Sequence, residues 1–124
     1  MITVVKEFTF DSAHFLPNYE GACNRIHGHT YKLQIGVKGE IDPDTGMVID
    51  FKKLNGLVDN LVIRKMDHQL LNNIADGRFP ANNPTAELMS QYIFAELQAN
   101  LPDGVIMDFV KLWETPTSYA ICYG

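Results

Sequence analysis

The sequence predicts an α+β fold of order β-β-α-α-β-β, on three observations. Two stretches near the start alternate apolar and polar residues with period two, and two central stretches repeat apolar residues at helical spacing. Two further extended stretches close the chain. Strands and helices in this order form a four-stranded antiparallel sheet with both helices on one face. At 124 residues the chain has room for one compact domain, residues 1–124, with its own core.

The first strand is expected over residues 2–14. Ile2, Val4, Phe8, Phe10 and His14 share one parity, and Thr3, Glu7, Thr9 and Asp11 share the other. Residues 27–38 alternate more cleanly. His27, His29, Tyr31, Leu33, Ile35 and Val37 oppose Gly28, Thr30, Lys32, Gln34, Gly36 and Lys38, which describes a half-buried strand with one wet face. Asp42-Pro-Asp-Thr-Gly46 is a turn. Asp50 then caps a helix whose apolar residues are Phe51, Leu54, Leu57, Val58, Leu61 and Val62. Asn83-Pro84 opens the second helix, with Asn as cap and Pro at the first position. Its apolar face is Leu88, Met89, Tyr92, Ile93 and Leu97. Residues 105–113 read as a strand, and a tight link over 115–118 leads into the last strand, residues 119–123. So small a sheet gains stability by joining copies of itself, which hints at an oligomer.

Composition narrows the function classes. With 46% hydrophobic and 20% charged residues, the chain reads as an ordinary soluble domain. No apolar run approaches the ~20 residues of a membrane helix. The first residues lack the pattern of a secretory signal, so a cytoplasmic address is expected. A net charge of −5 argues against a nucleic-acid surface, which needs a basic stripe. Cys23 and Cys122 read as free thiols.

The four histidines carry the chemistry. His27 and His29 stand two apart on a strand, so their rings project from one face. If the first two strands pair as a hairpin, His14 comes near them. Three imidazoles and one open position is the pattern of catalytic zinc, although imidazole also suits copper, iron and nickel. The plain alternative is a core histidine bonded to a carbonyl, which fits any one of them taken singly. Cys23, four residues before His27, is either a base beside the metal or a fourth ligand closing a structural site. Asp67-His68 can cooperate in proton transfer only if the helix ends there, as the following Asn72-Asn73 suggests, and the plain alternative is a solvated helix end. Glu114, after Trp113, is a solvated strand end or a carboxylate accepting two parallel N–H bonds from an amidine-like edge, as in a guanidine or a pterin ring.

Together these residues resemble the 6-pyruvoyl-tetrahydropterin synthase family. The matching stretches are Phe10-Asp-Ser-Ala-His14, Cys23-Asn-Arg-Ile-His27-Gly-His29, Met66-Asp-His68, Asn83-Pro-Thr-Ala-Glu87 and Trp113-Glu114-Thr115. The resemblance implies the tunnelling fold, or T-fold, in which subunit sheets close into a barrel. The assembly is commonly a homo-oligomeric hexamer of stacked trimers, with active sites between subunits. It implies Zn2+ held by His14, His27 and His29, with Cys23 as general base and Asp67 with His68 as its relay. It also implies Glu114 as the residue that holds the pterin ring, sometimes counted with the relay, and Thr85 as a further ring contact. Only three residues separate Cys23 from His27. That short spacing resembles the queuosine-pathway branch, the 6-carboxy-5,6,7,8-tetrahydropterin synthases. Those are lyases that convert 7,8-dihydroneopterin triphosphate to the carboxypterin, releasing triphosphate and acetaldehyde. The nearest rival is the 6-pyruvoyl product, formed by triphosphate elimination alone. A non-catalytic zinc module and a T-fold dihydroneopterin aldolase are the others. The aldolase, which needs no zinc, leaves three converging histidines unexplained.

Overall fold

The structure is a computed structural model and describes residues 1–74, 79 and 83–124. Strand β1 (Ile2–His14) and strand β2 (His27–Gly39) pair along their whole length, from Ile2 opposite Gly39 to His14 opposite His27. Strand β3 (Ile106–Thr115) pairs with β2, and strand β4 (Ser118–Tyr123) pairs with β3, so the sheet order is β1-β2-β3-β4, antiparallel throughout. The core is the face expected from the alternation. Phe10, Tyr31, Leu33, Ile35, Val37, Val110 and Leu112 are buried on it beneath Leu54, Val58, Met89, Ile93 and Leu97 of the helices. The other face carries polar pairs, including Lys32 with Glu7 and Lys38 with Asp108.

The helices depart from the sequence expectation in two instructive ways. Helix α1 (Phe51–Val58) is capped by Asp50, whose carboxylate accepts the Lys52 N–H at 2.7 Å. Instead of continuing as one regular helix, it widens into a π-helical segment, Asp59–Ile63, before a last α-turn, Arg64–Met66. The reason lies in the buried stripe: Leu54, Val58, Val62 and Met66 recur every four residues. At 3.6 residues per turn such a stripe drifts about 40° per step. A π-turn takes up the excess and keeps all four on the sheet.

Helix α2 (Ala86–Gln98) begins later than Asn83-Pro84 suggests. Its cap is Thr85, whose hydroxyl accepts the Leu88 N–H at 3.2 Å. With Pro84 as first helical residue, its carbonyl would take that N–H. The shift leaves the Pro84 carbonyl free for another donor. No helix among the described residues is long and apolar enough to cross a membrane.

A candidate metal centre at the loop end of the first hairpin

The β1–β2 register sets the site. His14 is the last residue of β1 and His27 the first of β2, and they stand directly opposite. His29 faces Ser12, one step further in on the same side. The three rings pack edge to face, with centroids 4.7, 4.9 and 5.0 Å apart. Glu114 arrives from β3. Trp113 pairs with Lys32 on one side and Tyr119 on the other, and the register with β4 slips by one residue between Trp113 and Thr115. Glu114 is the extra residue of that bulge, a device that re-aims a side chain. Its Oε1 lies 3.1 Å from His14 Nε2 and 3.2 Å from His29 Nε2. Ligand atoms of His14, His27, His29 and Glu114 all fall within 4.8 Å of one another.

Backbone carbonyls assign the tautomers. His14 Nδ1 lies 2.9 Å from the Pro84 carbonyl, and His27 Nδ1 lies 2.7 Å from the Arg25 carbonyl. A carbonyl only accepts, so each Nδ1 carries a proton, and in the neutral ring each Nε2 then offers a lone pair. Tyr31, wholly buried, brings its hydroxyl to 3.3 Å from His14 Nδ1. Burial pushes the Tyr31 phenol up, so it stays protonated. Burial also holds the His29 imidazole below its ordinary value, against the pull of Glu114. The close contact with His14 and then the charge of the rings hold the Glu114 carboxyl down, against burial. The Nε2 atoms of His14 and His29 are buried and have no hydrogen-bond partner. Imidazole nitrogens converging beside a carboxylate are a donor set that a divalent cation fits.

The remaining expected site residues lie elsewhere in the chain. The helical run ends at Met66, Asp67 is extended, and His68 takes a positive φ of 58°. Asp67 Oδ1 lies 3.0 Å from His68 Nδ1 and also accepts the Asp11 N–H at 3.0 Å. The His68 N–H donates to the Asp11 carbonyl at 2.6 Å, so the pair is laced to the edge of β1 that β2 leaves open. Asp11, Asp67 and His68 thus form a second group of possible ligands, at a cavity of about 520 Å³ whose lining includes both His68 and His29. The His68 side chain is 77% exposed. Cys23 sits half-buried on a short 3-10 turn, Ala22–Asn24, and belongs to neither group. Thr85 is the helix cap. Sequence reasoning missed the carbonyls of Pro84 and Arg25, Asp11 as the anchor of Asp67, and Tyr31 behind His14. The Asn-Pro-Thr motif was a signal for Pro84, where a helix cap explained it, and Asp11 and Arg25 lay inside the quoted matching stretches without a role read for them.

The family model described as 6-pyruvoyl tetrahydropterin synthase matches residues 3–124. A protein of Haemophilus influenzae named 6-carboxy-5,6,7,8-tetrahydropterin synthase is 33% identical, over 96% of each chain. One of Pyrococcus furiosus named dihydroneopterin monophosphate aldolase is 37% identical, over 90% of this chain and 88% of its own. The solved 6-pyruvoyl tetrahydropterin synthase of Caenorhabditis elegans superposes with a TM-score of 0.85 at 28% identity, covering 99% of this chain and 95% of that one.

Proposed function

The chain belongs to the 6-pyruvoyl tetrahydropterin synthase family, and on that premise we propose that it is a zinc-dependent 6-carboxytetrahydropterin synthase. It would act on 7,8-dihydroneopterin triphosphate in the cytoplasm, within queuosine synthesis. The observation that carries this reading is the convergence of His14, His27 and His29, with the Nε2 atoms of His14 and His29 buried and facing the Glu114 carboxylate. The three-residue spacing from Cys23 to His27 and the Haemophilus relative support the carboxypterin product over the pyruvoyl one.

Zinc held by the three imidazoles would polarise the hydroxyls of the substrate side chain and lower their pKa. Cys23 moves protons on that side chain during triphosphate loss and carbon–carbon cleavage. His68, oriented by Asp67, accepts and returns those protons. Glu114 takes the 2-amino group and ring N–H of the pterin through two parallel bonds, and Thr85 adds a ring contact. The Asp67–His68 pair and the histidines are distinct groups, and this reading joins them by assembly, setting the relay of one subunit against the metal of another. The edges of β1 and β4 that no described strand covers support such a homo-oligomer, of the stacked-trimer kind.

The test is mass analysis of the products from dihydroneopterin triphosphate. Carboxypterin with acetaldehyde is expected. A pyruvoylpterin would move the chain to the sister activity, and a hydroxymethylpterin to the aldolase that the Pyrococcus relative brings into view. Cys23→Ala should keep zinc and fold while losing most turnover. Loss of zinc in that variant would favour a closed structural site instead.

A further inference from the structure

Glu114 stands in two places at once: among the imidazole nitrogens, and in the wall of an open cavity of about 570 Å³ shared with His29, Lys32 and Trp113. We propose that Glu114 is the fourth donor of the metal centre in the resting protein and leaves it to bind an entering pterin. The inference rests on the zinc reading above and adds a second partner to a residue that the reading assigns only to the pterin.

Three observations carry it. The first is distance. Four donors at the ~2.0–2.1 Å of zinc–nitrogen and zinc–oxygen bonds stand about 3.3 Å apart in a tetrahedron. Glu114 Oε1 stands 3.1 and 3.2 Å from two of the nitrogens. The second is polarity. The Pro84 carbonyl holds the proton of His14 on Nδ1, so His14 Nε2 presents a lone pair to a carboxylate oxygen. In the neutral ring two acceptors face each other at that separation, an arrangement that a cation held between them relieves. The third is freedom to move. The close partners of the carboxylate among the described residues are imidazoles, and its side chain is 30% exposed at the cavity wall. A pterin edge offers two N–H donors in exchange for the metal. The exchange moves no electrons and breaks no covalent bond: the carboxylate changes partners, and the fourth position opens as the substrate arrives.

The experiment is Co2+ titration of metal-free protein, followed by visible absorption, which is intense for four-coordinate cobalt and weak for higher coordination. Wild type should give intense bands. Glu114→Gln and Glu114→Ala should bind Co2+ roughly tenfold or more weakly, with altered bands. Neopterin, which has the pterin edge and no phosphate, should convert the wild-type spectrum towards that of Glu114→Ala and leave the variant unchanged. Equal affinity and bands in both variants would overturn the proposal while leaving the three-histidine site intact. So would a wild-type spectrum indifferent to neopterin, a measurement that needs no variant to fold. His27→Ala, which should abolish Co2+ uptake, tests the underlying reading separately. Wild type that takes up neither Co2+ nor Zn2+ would bring down both.

Discussion

His68 pays a conformational cost that its neighbours impose. A φ of 58° is left-handed, disfavoured for any residue with a Cβ. It is held there by its own N–H on the Asp11 carbonyl and its ring on Asp67. Glycine enters this region without strain, so His68→Gly should raise stability by about 0.5–1 kcal/mol, even as it removes the proposed relay. A urea midpoint that rises at constant slope would show this. A falling midpoint would mean that the exposed Asp67 contact outweighs the strain. Asp67 itself predicts a pH dependence. The Asp11 N–H, and then His68, hold its carboxyl below the ordinary value. A depressed carboxylate stabilises the fold above its unfolded pKa of ~3.9, and that stability is lost as pH falls through the folded value. Asp67→Asn should therefore be less stable than wild type at neutral pH, with the gap closing in acid. A gap that stays constant from pH 7 to the acid limit would show that the carboxylate is not what stabilises.

At the scale of elements, the start of α2 links the core to the site. The Thr85 hydroxyl takes the Leu88 N–H, which frees the Pro84 carbonyl to hold His14. Thr85→Ala should cost about 1 kcal/mol, the usual loss for a cap, while Thr85→Ser should retain most of it. Thermal or chemical unfolding of the two variants measures the difference, and equal stability would show the cap to be idle. This element also shows why sequence reasoning stopped where it did. Asn83, Pro84 and Thr85 are all legitimate residues for a helix start, and local propensity does not choose among them. The choice falls to His14, 70 residues away, which needs an acceptor for its Nδ1 proton.

For the whole molecule, the cluster joins three strands and the loop before α2, so a bound metal ties together distant parts of the chain. An ion that binds only the folded state stabilises by mass action, about 2.7 kcal/mol at ~100 times its Kd. For a chain of this size that corresponds to roughly 10 °C in Tm. Zinc-loaded protein treated with a chelator should unfold lower by about that much, and added zinc should restore it. An unchanged midpoint would mean that the cluster holds no ion.

Period-two alternation over residues 2–14 and 27–38 was enough to place both strands, their buried faces and the shared side of His14, His27 and His29. Such patterns are legible because strand side chains alternate whatever lies around them. The tertiary structure alone decided the rest. A one-residue bulge between Trp113 and Thr115 brings Glu114 to the imidazoles, and no residue type announces a bulge there. The four-residue stripe from Leu54 to Met66 becomes a π-turn only because all four residues must reach one sheet. Asp67 and His68, adjacent in sequence and aimed apart in a regular helix, meet because the helix ends at Met66 and Asp11, 56 residues earlier, takes both backbone and carboxylate. Each of these depends on register and on partners far along the chain, which local periodicity does not encode.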